Sequence, residues 1–129
     1  IGVKIDKKVM SFSDDRTVTL ILWDIAGETT SSKIPASYKL GAHGILYVLD
    51  VSRPSTFENL TAQISKLRKL LPDVPLICLA NKSDLLSDTF RENIRKEIGD
   101  QKLLFTSAKS GENVQTAFEE ITKEIMSWD

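Results

Sequence analysis

Cysteine is almost absent from this chain. Cys78 is the single one among 129 residues, so no internal disulfide forms and a reducing compartment fits. It lies in the apolar run "PLICLAN", where a buried structural thiol is expected. Histidine also occurs once; His43 stands beside a strand start and is read as structural. No strongly apolar run exceeds strand length, so neither a membrane-spanning helix nor a signal peptide is visible. Charge of neither sign dominates: 17 basic and 18 acidic residues leave a net charge of -1. That balance gives no electrostatic footprint for nucleic acid or an anionic membrane. The final "IMSWD" carries no lipidation box. A cytoplasmic location is expected, with peripheral membrane attachment only through a lipidated tail outside this chain. Repeats, low-complexity tracts and linkers are likewise missing, so residues 1–129 read as one domain.

What is present is a regular alternation of patterns. Ile1, Val3 and Ile5 alternate with Lys4 and Asp6, and Val9 to Phe12 extend the run. "SDDR" at 13–16 predicts a turn and "TVTLILWD" at 17–24 a return strand, together an antiparallel hairpin. "GILYVLD" at 44–50, "PLICLAN" at 75–81 and "LLFTS" at 103–107 are continuous apolar runs, suited to strands covered on both faces. Between them lie helical stripes. Phe57, Leu60, Ile64, Leu67 and Leu71 form one, closed by Pro72 and Pro75. Phe90, Ile94 and Ile98 form a second over about 88–98, ended by Gly99. Val114, Phe118, Ile121, Ile125 and Trp128 form a third, with Asn113 as its N-cap. Alternating strands and helices predict an α/β fold with a mostly parallel sheet.

Ligands of such sheets sit beyond the carboxyl ends of the strands, and three short stretches fall there. In "DIAG", Asp24 could hold a metal-bound water and Gly27 could bring its backbone N–H close to a phosphate. In "NKSD", the Asp84 carboxylate matches the paired donors of a guanine edge, its N1–H and 2-amino group; adenine has no such pair. The Lys82 stem could lie along the base and ribose, and Asn81 could tie adjoining loops together. In "TSAK", backbone N–H groups of Ser107, Ala108 and Lys109 could meet the guanine carbonyl. Each stretch alone is an ordinary loop; their order at successive strand ends is the signal.

With "IGVK", "WDIAGE", "SYKLGAHGILYVLDVS", "FENL", "NKSDL" and "TSAKSGENV" in sequence, the chain resembles the Ras superfamily of small GTPases, most closely its Rab branch. The resemblance implies a P-loop NTPase-type small G domain that binds GTP or GDP with Mg²⁺ and switches between the two. It implies that Asp24 contacts Mg²⁺ through water and Gly27 the γ-phosphate. It also implies that Asn81, Lys82 and Asp84, helped by Ser107, Ala108 and Lys109, read guanine. Effector and regulator proteins are expected on residues 1–12 and 25–40, the latter being the second switch segment. An ATPase relative is disfavoured by Asp84.

The chain departs from that family in three places. First, its glycines, at 2, 27, 41, 44, 99 and 111, are never followed by lysine, so the phosphate loop G-x-x-x-x-G-K-[ST] is missing. The resemblance then implies a G domain lacking its first strand, first helix and first switch, with a gap in the middle of the sheet. Unsatisfied groups at such a gap cost about 1–3 kcal/mol each. Losing even four phosphate hydrogen bonds would weaken nucleotide binding by roughly 10⁴-fold. Two explanations stand: a piece of a complete GTPase, or a non-enzymatic pseudo-GTPase interaction module with little or no nucleotide binding. Second, Glu28 stands where the family usually has glutamine. A carboxylate only accepts hydrogen bonds, so slow GTP hydrolysis is expected, with Glu28 as the catalytic position. Third, the second switch "TTSSKIPAS" is small and polar, where Rab proteins are richer in aromatic and arginine residues.

Overall fold

A computed structural model describes residues 3–25, 40–51 and 60–128. Gly27, Glu28, Phe57 and most of the 25–40 segment lie outside these residues. Contacts group the chain into two compact units, Ile1–Gly41 and Ala42–Asp129.

The first unit is the expected hairpin. Strand β1 (Val3–Ser11) pairs antiparallel with β2 (Thr17–Ile25), in a register that sets Ile5 opposite Trp23 and Val9 opposite Thr19. The reversal is closed by Phe12 N–H to the Arg16 carbonyl at 2.9 Å and Asp15 N–H to the Phe12 carbonyl at 3.1 Å. Asp15 takes a left-handed φ of 65°, which aspartate tolerates better than most residues. Because side chains alternate across a strand, Ile5, Val9, Ile21 and Trp23 share one face, and all are exposed.

The second unit is a parallel sheet with helices on both faces. Strands β3 (Ile45–Asp50), β4 (Leu76–Asn81) and β5 (Leu103–Phe105) lie in that order. Helices α1 (Leu60–Leu70), α2 (Asp88–Ile98) and α3 (Val114–Met126) connect and follow them. Central β4 is buried from Leu76 to Ala80, as a continuous apolar run should be. Ile77 and Leu79 pack with Ala117 and Ile121 of α3. Ala80 and Phe105 pack with Ile94 of α2 on the other face. Gly44, just before β3, sits under α3: a Cβ there would lie 2.8 Å from Ile125 Cδ1 and 3.0 Å from Ile121 Cγ1. The end of the sheet where β4 begins is tied by Arg68, which donates to the Val74 carbonyl and to Gln101, each at 3.0 Å.

The α/β class, the hairpin and the parallel strands stand as expected. The described strands form two sheets, β1–β2 and β3–β4–β5, and not the one mostly parallel sheet expected. Two details differ from the sequence reading. Phe90 is exposed, because α2 buries only Ile94 fully. Asn113 precedes α3 but does not cap it through its side chain; it takes a left-handed φ of 54° and its Nδ2 donates to the Phe105 carbonyl at 2.9 Å. Cys78 is free and fully buried, and burial pushes its thiol up to about 11.

Candidate guanine-binding site

Parallel register brings the predicted loops to one edge. Asp50 at the end of β3 pairs with Asn81 at the end of β4, and Ala80 pairs with Phe105 at the end of β5. The chain therefore leaves three adjacent strands at the same level, and Lys82–Asp84 and Thr106–Lys109 emerge together.

Asn81 ties the loops, as its type suggested: its Oδ1 accepts from Thr106 Oγ at 3.2 Å. Lys82 turns the chain out of the strand with a left-handed φ of 62°. Its Nζ lies 3.0 Å from Asp50 Oδ2, on the exposed rim. Ser83 is wholly buried; its N–H donates to the Thr106 carbonyl at 3.0 Å and its hydroxyl to Glu112 Oε1 at 2.5 Å. A short 3₁₀ turn, Ser83–Leu85, then presents Asp84 at the surface. Ser107, also wholly buried, donates from Oγ to Asp84 Oδ1 at 2.7 Å. Among the described residues Asp84 Oδ2 has no partner, so an exposed carboxylate held on one side offers acceptor capacity on the other. Ala108 and Lys109 follow at the exposed surface.

Two residues at this edge carried no sequence signal of their own. Glu112 accepts from Ser83 and from both Arg91 guanidinium nitrogens, at 3.3 Å and 3.2 Å. The Ser83 hydroxyl first, then Arg91, holds the Glu112 carboxyl below its ordinary value of 4.5. Arg91 also donates to the Ser83 carbonyl at 3.0 Å and stacks 5.0 Å from the Phe105 ring centre. Only the position of Glu112 within the quoted "TSAKSGENV" could have drawn attention to it.

Asp24 is exposed near the end of β2, opposite Lys4. Among the described residues no three acids, histidines or cysteines gather as a metal site. The "NKSD" stretch sets an exposed carboxylate, Asp84, and the lysine stem of Lys82 beside the Asn81 amide at one strand end. His43 is exposed and outside this cluster of contacts.

The family model described as Ras family matches residues 1–127. Human Rab-like protein 2B is 34% identical over 116 residues, covering 89% of this chain and 50% of that protein. The GTP-binding protein ypt1 of Schizosaccharomyces pombe is 33% identical over 129 residues, covering 95% of this chain and 64% of its own length. Human Rab-like protein 2A is 33% identical over 116 residues, with 50% of its length covered. The chain thus spans between half and two thirds of these relatives. Matched along nearly all of its residues, this chain belongs to the Ras family, as a Rab-like member of the Ras-superfamily small GTPases.

Proposed function

We propose that this chain is the guanine-reading part of a GTP/GDP switch of the small GTPase type. One observation carries the reading: Asp84 is exposed at a strand end with one oxygen fixed by buried Ser107 at 2.7 Å. Guanine would place its N1–H and 2-amino group against that carboxylate. Lys82 would cover the base, and Asn81 would hold the two loops in register. The backbone N–H groups of Ala108 and Lys109 would meet the base carbonyl, whereas the Ser107 N–H, expected to join them, donates to the Glu112 carbonyl at 3.1 Å.

Gly27 would donate its N–H to the γ-phosphate, and Asp24 would hold Mg²⁺ through water. Mg²⁺ supplies charge neutralisation between phosphate oxygens. The γ-phosphate would order the switch segments, and its loss would release them. Hydrolysis in this class depends on positioning a water. Glu28 accepts but does not donate at neutral pH, so it would orient water poorly beside phosphate charge, and turnover would be slow. Regulator and effector proteins would dock on residues 1–12 and 25–40; exposed Ile5, Val9, Ile21 and Trp23 give that surface an apolar face.

A second reading has support of its own. No glycine in the sequence is followed by lysine, so the chain could serve as an interaction module that keeps the guanine loops as scaffold. Titration with a fluorescent guanine nucleotide, with GDP and ADP as competitors, separates the two. Micromolar or tighter Mg²⁺-dependent binding, displaced by GDP and not by ADP, supports the switch; no guanine-selective binding supports the module. Single-turnover hydrolysis by the full polypeptide with Glu28→Gln tests the slow-turnover claim. A rise is expected, and an unchanged or lower rate refutes it.

A further inference from the structure

We propose that Glu112 is a positioning residue for guanine recognition, closing a hydrogen-bonded circuit that fixes the direction of the Asp84 carboxylate. The inference rests on the guanine reading above. The circuit runs through named atoms. Ser107 Oγ donates to Asp84 Oδ1 at 2.7 Å and accepts from Ser110 N–H at 3.1 Å. Ser110 Oγ accepts from Glu112 N–H at 3.2 Å. The Glu112 side chain accepts from Ser83 Oγ at 2.5 Å, and Ser83 is the residue before Asp84. A chord crosses the ring, from Ser107 N–H to the Glu112 carbonyl at 3.1 Å. Asp84 is therefore gripped twice: through its own oxygen by Ser107, and through its neighbour by Glu112.

The sequence explains how Glu112 reaches both loops. Gly111 and Asn113 flank it with φ of 81° and 54°, a double reversal that turns the chain back on itself. A Cβ on Gly111 would meet no atom within 4 Å, so conformation and not space calls for glycine there. Asn113 anchors the reversal on the Phe105 carbonyl. Arg91 then fixes the carboxylate from the other side through both guanidinium nitrogens, a paired geometry that point charges lack. Arg91 is itself held against buried Phe105, which Arg95 also approaches, at 4.9 Å. A carboxylate with this many donors is a fixed point for the loops to hang on, not a mobile surface charge.

A role in positioning differs measurably from a role in folding. Inosine diphosphate lacks the 2-amino group, so the ratio of its Kd to that of GDP reads one hydrogen bond to Asp84. One charge-assisted hydrogen bond corresponds to a ratio of about tenfold or more in the native protein. In Glu112→Ala the ratio is expected to fall to within about threefold of unity, because the carboxylate loses its aim. Glu112→Gln keeps the Ser83 bond and loses half the Arg91 fork, so an intermediate ratio is expected. A purely structural role would weaken both nucleotides alike and leave the ratio intact, which overturns the proposal while leaving guanine binding standing. Native protein that binds neither nucleotide overturns the guanine reading and this proposal together. If Glu112→Ala does not fold, Glu112→Gln and Ser83→Ala carry the same comparison.

Discussion

Replacing Asp84 by asparagine swaps one acceptor for a donor at nearly constant volume. In the native site Oδ1 is engaged by Ser107 at 2.7 Å. The asparagine carbonyl would keep that bond, so the new N–H₂ takes the place of Oδ2. It would then face guanine's 2-amino group, donor against donor. Losing one charge-assisted bond costs about 1.5–3 kcal/mol, and leaving a donor unpaired costs about 1–3 kcal/mol more. Together the loss is about 3–6 kcal/mol, or roughly 10²–10⁴-fold in GDP affinity. Xanthine carries a carbonyl oxygen where guanine has the amine, so xanthosine diphosphate restores the pairing. Competition titrations of native and Asp84→Asn protein against GDP and xanthosine diphosphate measure the exchange. The variant should prefer the xanthine nucleotide by about tenfold or more, with thermal stability changed by less than about 1 kcal/mol, because the Ser107 bond survives. A variant that still prefers GDP, or loses both nucleotides equally, refutes the assignment of Asp84 to the base edge.

Further predictions concern stability and reactivity. Gly44→Ala puts a methyl 2.8 Å from Ile125 Cδ1 and 3.0 Å from Ile121 Cγ1. Overpacking of about 1–3 kcal/mol outweighs an entropic gain of about 0.4–1 kcal/mol, so denaturant unfolding should report a net loss. The Cys78 thiol, pushed up to about 11, exposes only about one part in ten thousand as thiolate at neutral pH. Alkylation should therefore follow unfolding, and fast labelling of native protein would contradict the burial. Glu112 has a lowered pKa, so its stabilising contribution is full above its ordinary 4.5 and is lost as pH falls through the folded value. The stability gap between native protein and Glu112→Gln, about 1 kcal/mol for a half-exposed pair, should shrink on acidification; a gap that widens in acid refutes the pairing.

Most of the fold was legible in two patterns: β4 is buried on both faces and reads as an unbroken apolar run, while the hairpin strands alternate apolar and polar residues. Leu76 to Ala80 could hardly be anything else once Asn81 and Lys82 stop the run. The loop-tying role of Asn81 was legible for the same reason: a polar residue at the end of a buried strand must find a partner nearby. What the sequence hid was long-range. Arg91 and Glu112 are 21 residues apart and meet only because β4 and β5 end side by side. Asn113 misled because an asparagine before a helix is an N-cap by habit, while here the Phe105 carbonyl claims its amide. Phe90 followed the helical period yet is exposed, because one turn of α2 extends past the core that Ile94 and Ile98 meet. The sequence was read as one mostly parallel sheet with a hairpin, whereas the described hairpin strands form a sheet of their own.

The central question is where a guanine nucleotide touches this chain. Backbone amide shifts of the protein, recorded as GDP and then ADP are added with Mg²⁺, locate the contact residue by residue. GDP should move the amides of Asn81, Lys82, Ser83, Asp84, Ser107, Ala108 and Lys109 together, with ADP leaving them in place. Shifts that appear equally with both nucleotides, or with neither, would contradict the claim that these loops read guanine.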